Sequence, residues 1–133
     1  MSMFCNQCEQ TAHGTGCDKV GVCGKSHEVA ALQDLLVNAV RGLAVVAVDA
    51  ERRGLDVSGE GALTNDALFT TLTNVDFDPE TISAKIDQAV ALREALKARV
   101  RAAGGTGEYA EPLANLAASC SVAGKAAQGA EFG

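Results

Sequence analysis

Residues 5 to 23 read CNQCEQTAHGTGCDKVGVC and place four of the chain's five cysteines within nineteen positions, at a spacing of C-x2-C-x8-C-x5-C. The stretch around them, residues 1 to 25, contains Gly14, Gly16, Gly21 and Gly24 and has no sustained apolar period. It reads as a wrapped loop with no core of its own, so whatever its thiols hold must organise it. Disulfides fit poorly. The cysteine count is odd, and a disulfide framework would tie two tight loops at the N-terminus while leaving the rest of the chain unstapled. The opening MSMF has no basic region leading into an apolar one, and the most apolar run, Leu43 to Val48, falls far short of the roughly 20 residues that span a bilayer. The expected location is therefore the cytoplasm, with no membrane contact. In that reducing compartment thiols stay available for metal or redox chemistry.

Two kinds of centre suit four thiols. Structural zinc usually takes two separated CxxC pairs that close on one ion. Here only Cys5 and Cys8 form such a pair, while Cys17 and Cys23 come singly, as expected for a loop encircling something larger than one ion. A four-iron cubane with one thiolate per iron is such an object, and glycines beside the cysteines would let backbone N–H groups approach the sulfurs. From the residues alone, a zinc-stabilised structural or interaction module stays open beside an iron–sulfur domain.

The remainder reads as helix. Ser26 offers an N-cap oxygen and Glu28 a first-turn negative charge. Leu32, Leu35, Leu36, Ala39, Val40, Leu43, Val46, Ala47 and Ala50 then recur at steps of three and four until Gly54, which predicts a helix from about 27 to 53. The turn SGEG at 58 to 61 leads to a second segment from about 62 to 74, with Leu68, Leu72 and Val75 on one side. Its threonines are poor helix formers. Asp78, Pro79 and Glu80 write a third helix start, and the stripe Ile82, Ile86, Ala89, Val90, Leu96, Val100, Ala103 runs to Gly104 and Gly105. The fold class is all-α: an antiparallel three-helix bundle over 26 to 105 behind the cysteine loop of 1 to 25. Residues 106 to 133 form an Ala/Gly-rich connecting tail with at most a short helix between Val122 and Ala130, and together the three parts make one domain. The chain stops at Gly133 without a terminal cap, as a piece of a longer protein would.

Other candidates have plainer readings. Cys120, four residues after Leu116, reads as a small buried apolar residue. His13 and His27 read as surface residues, Glu51, Arg52 and Arg53 as a solvated helix end, and Phe4 as apolar cover beside Cys5. Lys plus Arg total 11 against 17 Asp plus Glu, a net charge of -6, and with four phenylalanines and one tyrosine a nucleic-acid partner is not expected.

MFCNQCEQTAHGTGCDKVGVCGKS and the helix HEVAALQDLLVNAVRGLA that follows it, together with LFTTLTNV and EPL at 111 to 113, closely resemble the N-terminal opening of the hybrid cluster (prismane) proteins, a family of hydroxylamine reductases. The resemblance implies a [4Fe-4S] cluster on Cys5, Cys8, Cys17 and Cys23, since a form with wider cysteine spacing carries a two-iron cluster instead. It implies a role in electron transfer to a catalytic hybrid cluster, with electrons supplied by a redox partner, either a ferredoxin or an NADH-dependent reductase. The catalytic cluster is held in the longer family members by later cysteines, a histidine and glutamates. Only Cys120 remains here after the four loop cysteines, so this chain is expected to need the remainder of a hybrid cluster protein and to have no catalytic residues of its own.

Overall fold

The computed structural model describes residues 2–72 and 77–132. Four α-helices account for most of them: α1 His27–Arg52, α2 Ser58–Thr70, α3 Pro79–Ala102 and α4 Val122–Ala130. The fold is all-α, with one isolated antiparallel bridge, Cys5 to Cys17, among the described residues.

The caps behave as their residue types dictate. The Ser26 side chain accepts a hydrogen bond from the Val29 N–H at 3.2 Å, and Gly54 follows the end of α1 at φ +81°. Asp78 accepts from the Glu80 N–H, with Pro79 in the first turn of α3. Satisfying these end groups leaves the long apolar stripes of α1 and α3 to decide the packing.

Leu32, Leu35, Leu36 and Ala39 of α1 meet Ile82, Ile86 and Ala89 of α3, while Leu43, Val46 and Ala50 meet Leu96 and Val100. Early half packs on early half and late half on late half, so α1 and α3 run parallel. Helix α2 runs the other way along α3: Glu60 near its start pairs with Arg99, and Asp66 near its end pairs with Lys85. An up-down-up arrangement results, with α1 touching every other helix. Among the described residues α1 alone is long and apolar enough to cross a membrane, but 67% of its most apolar window is buried, as suits the central helix of a bundle.

Helix α2 departs from expectation. It begins at Ser58, so SGEG is its first turn rather than a preceding loop. The Asp56 carboxylate accepts from the Ser58 N–H at 3.0 Å, and buried Glu60 pairs with Arg99. These tertiary and capping contacts outweigh the poor propensity of two glycines. Its buried residues are Glu60, Ala67 and Thr70, and Leu63 packs against the core, whereas Leu68 and Leu72 are exposed. The expected extension to residue 74 and the inward Val75 lie outside the described residues.

Segment 106–121 crosses the bundle and leads into α4. Leu113 presents its carbonyl to α1 at Gly42, where an added Cβ would sit 2.0 Å from that oxygen, and the same carbonyl accepts from Arg93 of α3 at 3.2 Å. Tyr109 donates to the Asp49 carboxylate at 2.7 Å; burial, helped by that bond, pushes the phenol up to about 12. In α4, Val122 and Ala126 pack against the core, Lys125 is fully buried in an ion pair with Asp87, and Gly129 abuts the Ala31 backbone of α1.

Two glycine substitutions should therefore have opposite signs. Gly42→Ala forces a methyl into the Leu113 carbonyl and should destabilise by about 1–3 kcal/mol, as overpacking does. Gly61→Ala, at a helical position with nothing within 4 Å of an added Cβ, should stabilise by about 0.5–1 kcal/mol through helix propensity. Urea midpoints at unchanged slope measure both. Equal shifts of the same sign would refute the close approach at Gly42.

Candidate metal centre

The cysteine loop is built from three short pieces. In the first, Cys5 and Cys17 exchange backbone hydrogen bonds at 2.9 and 2.8 Å, with Met3 N–H to the Asp18 carbonyl extending the pair. Two residues twelve apart in sequence thereby come face to face. In the second, a single 3-10 turn at Ala12–Gly14, with His13 at φ +55°, aims the Ala12 N–H at the Cys17 sulfur, 3.4 Å away. In the third, a turn closed by Gly24 N–H to the Gly21 carbonyl at 2.8 Å carries Cys23. Gly21 makes room there: a Cβ would lie 3.1 Å from the Cys23 sulfur and 2.9 Å from the Lys25 Cβ.

Together these pieces arrange Cys5, Cys8, Cys17 and Cys23 around one cavity, whose lining is completed by Gln10, Thr11, Gly21, Val22 and Lys25. Cys17 is buried and the other three are half-buried. Among the described residues no three metal-ligating side chains converge tightly enough to clasp one ion. The four thiols line a small cavity of about 20 Å³, and thiolates are the donors that both iron–sulfur and zinc centres take.

Among the described residues, Cys17 and Cys5 each receive a donor at sulfur. One is the Ala12 N–H, an amide from the 3-10 turn rather than from a glycine beside a cysteine as the sequence suggested. The other is Lys25, which the sequence reading passed over. Its ammonium donates to the Cys5 sulfur at 3.6 Å and to the Gln7 side-chain oxygen at 3.3 Å, and the residue is only 2% exposed. The one sequence hint was its place, two residues after the last loop cysteine and just before the Ser26 cap. Asp34 of α1 lies nearby; burial raises its carboxyl above the ordinary carboxylate range, and the Lys25 charge pulls it back.

The other candidates fall outside the cavity. Phe4 is no cover over the thiols: its ring lies against Gly16 and is 53% exposed. Its position next to Cys5 turns it away, since neighbours in extended backbone point to opposite sides. Cys120 is exposed, not buried. It sits in the bend before α4, where the four-residue spacing from Leu116 has no helix to make it a shared face, and Leu116 and Ala118 pack inward without it. His13 is exposed, and His27 is half-exposed, with its Nε2 bonded to the Lys19 carbonyl, tying the loop to the start of α1.

Comparison with known proteins adds an independent observation. A family model described as the Prismane/CO dehydrogenase family matches residues 3–130. The chain is 50% identical over 131 residues to a hydroxylamine reductase of Syntrophobacter fumaroxidans, covering 98% of this chain and 24% of that protein. It is 49% identical over 131 residues to the hydroxylamine reductase of Methanocella arvoryzae, with the same coverage, and 48% identical over 128 residues to that of Solidesulfovibrio magneticus, covering 96% and 23%. The chain thus spans about a quarter of the length of the curated relatives it matches.

Proposed function

The chain belongs to the Prismane/CO dehydrogenase family, and on that premise we propose that its loop holds a [4Fe-4S] cluster through Cys5, Cys8, Cys17 and Cys23 and serves as a one-electron relay. The observation that carries the reading is the shared cavity, in which thiols drawn from both ends of a nineteen-residue loop face one space. Such a cluster, when bound, takes up and releases an electron at a potential set by its charge and by hydrogen bonds to its sulfurs.

The chain's own residues would do the rest. The Cys5–Cys17 backbone pair fixes two ligands relative to each other, and the Gly21–Gly24 turn presents the fourth. The Ala12 N–H and the Lys25 ammonium offer positive charge to sulfurs that become more negative on reduction. One thiolate per iron occupies all four cysteines and leaves no ligand position for a substrate, so these residues move electrons and do no bond chemistry. Any reduction of hydroxylamine is assigned to parts of the longer relatives that this chain does not cover. The electron source is a ferredoxin or an NADH-dependent reductase in the cytoplasm.

Anaerobically reconstituted protein should give one reversible reduction wave and a reduced-state paramagnetic signal. It should form no ammonia from hydroxylamine above a free iron–sulfide control. Sustained ammonia production that depends on the protein would overturn the relay assignment.

A further inference from the structure

Four basic side chains are buried: Lys25, Arg93, Lys97 and Lys125. A buried cation is costly unless an anion faces it, and three of the four follow that rule with carboxylates. Arg93 and Lys97 share Glu94, at 2.7 and 3.2 Å, and Lys125 takes Asp87 at 3.1 Å. Lys25 is the exception. Among the described residues its ammonium pairs with a sulfur and a neutral amide oxygen, and it lines the cavity that all four loop cysteines share. Asp34 feels its charge without forming an ion pair with it. Among the described residues the hydrogen bonds of this ammonium run to the thiol loop, at Cys5 and Gln7.

We propose that Lys25 is a fixed counter-charge beside the loop thiolates, raising the potential at which a cluster held there accepts an electron. The inference rests on the cluster reading above. An adjacent positive charge favours the more negative of two states, here the reduced cluster over the oxidised one. The backbone reinforces the placement. The Lys25 carbonyl accepts from the Gly21 N–H at 2.8 Å, closing the turn that carries Cys23, and Gln7, between Cys5 and Cys8, holds the ammonium from the other side. Lys25 is thus a positioning and tuning residue rather than a ligand.

The test uses the wild-type chain, Lys25→Met, Lys25→Gln and Lys25→Arg, each reconstituted anaerobically, analysed for iron and sulfide, and titrated with dithionite while the paramagnetic signal is followed. Lys25→Met and Lys25→Gln should retain the cluster and become harder to reduce by about tenfold or more in the equilibrium constant, a fall of about 59 mV or more for a one-electron couple. Lys25→Arg should stay within half that shift. Loss of iron in both neutral variants but not in Lys25→Arg would also support the proposal, since charge would then be what the site requires. An unchanged potential in either neutral variant that keeps its cluster, an arginine variant shifted as far as the neutral ones, or loss of iron in all three would reduce Lys25 to packing and overturn it. Wild type that takes up zinc and no sulfide would fail one step earlier, removing the cluster reading and this inference with it.

Discussion

Serine at Cys5, Cys8, Cys17 or Cys23 is expected to strip the chain of most of its iron and sulfide, whereas serine at Cys120 is expected to leave both at the wild-type level. The substitution changes one atom per site and barely alters volume, so the effect reads ligand chemistry and not packing. An alkoxide is a poor replacement for the soft thiolate that iron–sulfur clusters require. The four loop thiols line one cavity, while Cys120 lies exposed on the bend before α4 and outside that lining. Iron and labile sulfide per chain after anaerobic reconstitution measure the result. Iron lost from the Cys120 variant, with iron kept by any one of the other four, would reassign the ligand set.

Removal of the metal should leave α1 and α3 protected against hydrogen exchange while the loop of residues 2–25 loses its protection. The two regions differ in what holds them. Leu32, Leu35, Leu36, Ile82, Ile86 and Leu96 are fully buried and bury one another. In the loop, Phe4, Val20 and Val22 are exposed, and Cys17 is the apolar residue it buries. A few backbone hydrogen bonds around Cys5 and Cys17 do not repay the entropy of ordering some two dozen residues, so binding energy must supply the difference. Local opening free energies therefore diverge between loop and bundle once the metal is gone. Exchange in apo and holo protein, read peptide by peptide, decides it. Loop protection that is the same in both would show that the fold, not the metal, orders residues 2–25.

What could be read from the sequence follows from which physics is local. Helices α1 and α3 were legible to within a residue or two because their caps, Ser26 and Asp78, and their apolar stripes are written in consecutive residues. In the Ala/Gly-rich tail the sequence allowed at most a short helix, and the structure has one at Val122–Ala130. Helix α2 was harder. Glu60 in its first turn is buried in an ion pair with Arg99 of α3, and its inward side carries Leu63, Ala67 and Thr70 while Leu68 and Leu72 face out, so the pairing partner and the inward face are tertiary facts. The spacing of the cysteines announced the candidate site, but not its second set of donors. That Lys25 is buried, and that it faces sulfur instead of a carboxylate, are tertiary facts. Cys120 was misread because its spacing from Leu116 means a shared face only inside a helix, and that stretch is not one.

Whether the loop holds an iron–sulfur cluster is decided by metal and sulfide analysis of the anaerobically purified wild-type chain. About four irons and about four labile sulfides per chain are expected, with no stoichiometric zinc, as a cubane on four cysteines requires. About one zinc per chain and no labile sulfide, the composition of a closed four-thiolate zinc site, would contradict it.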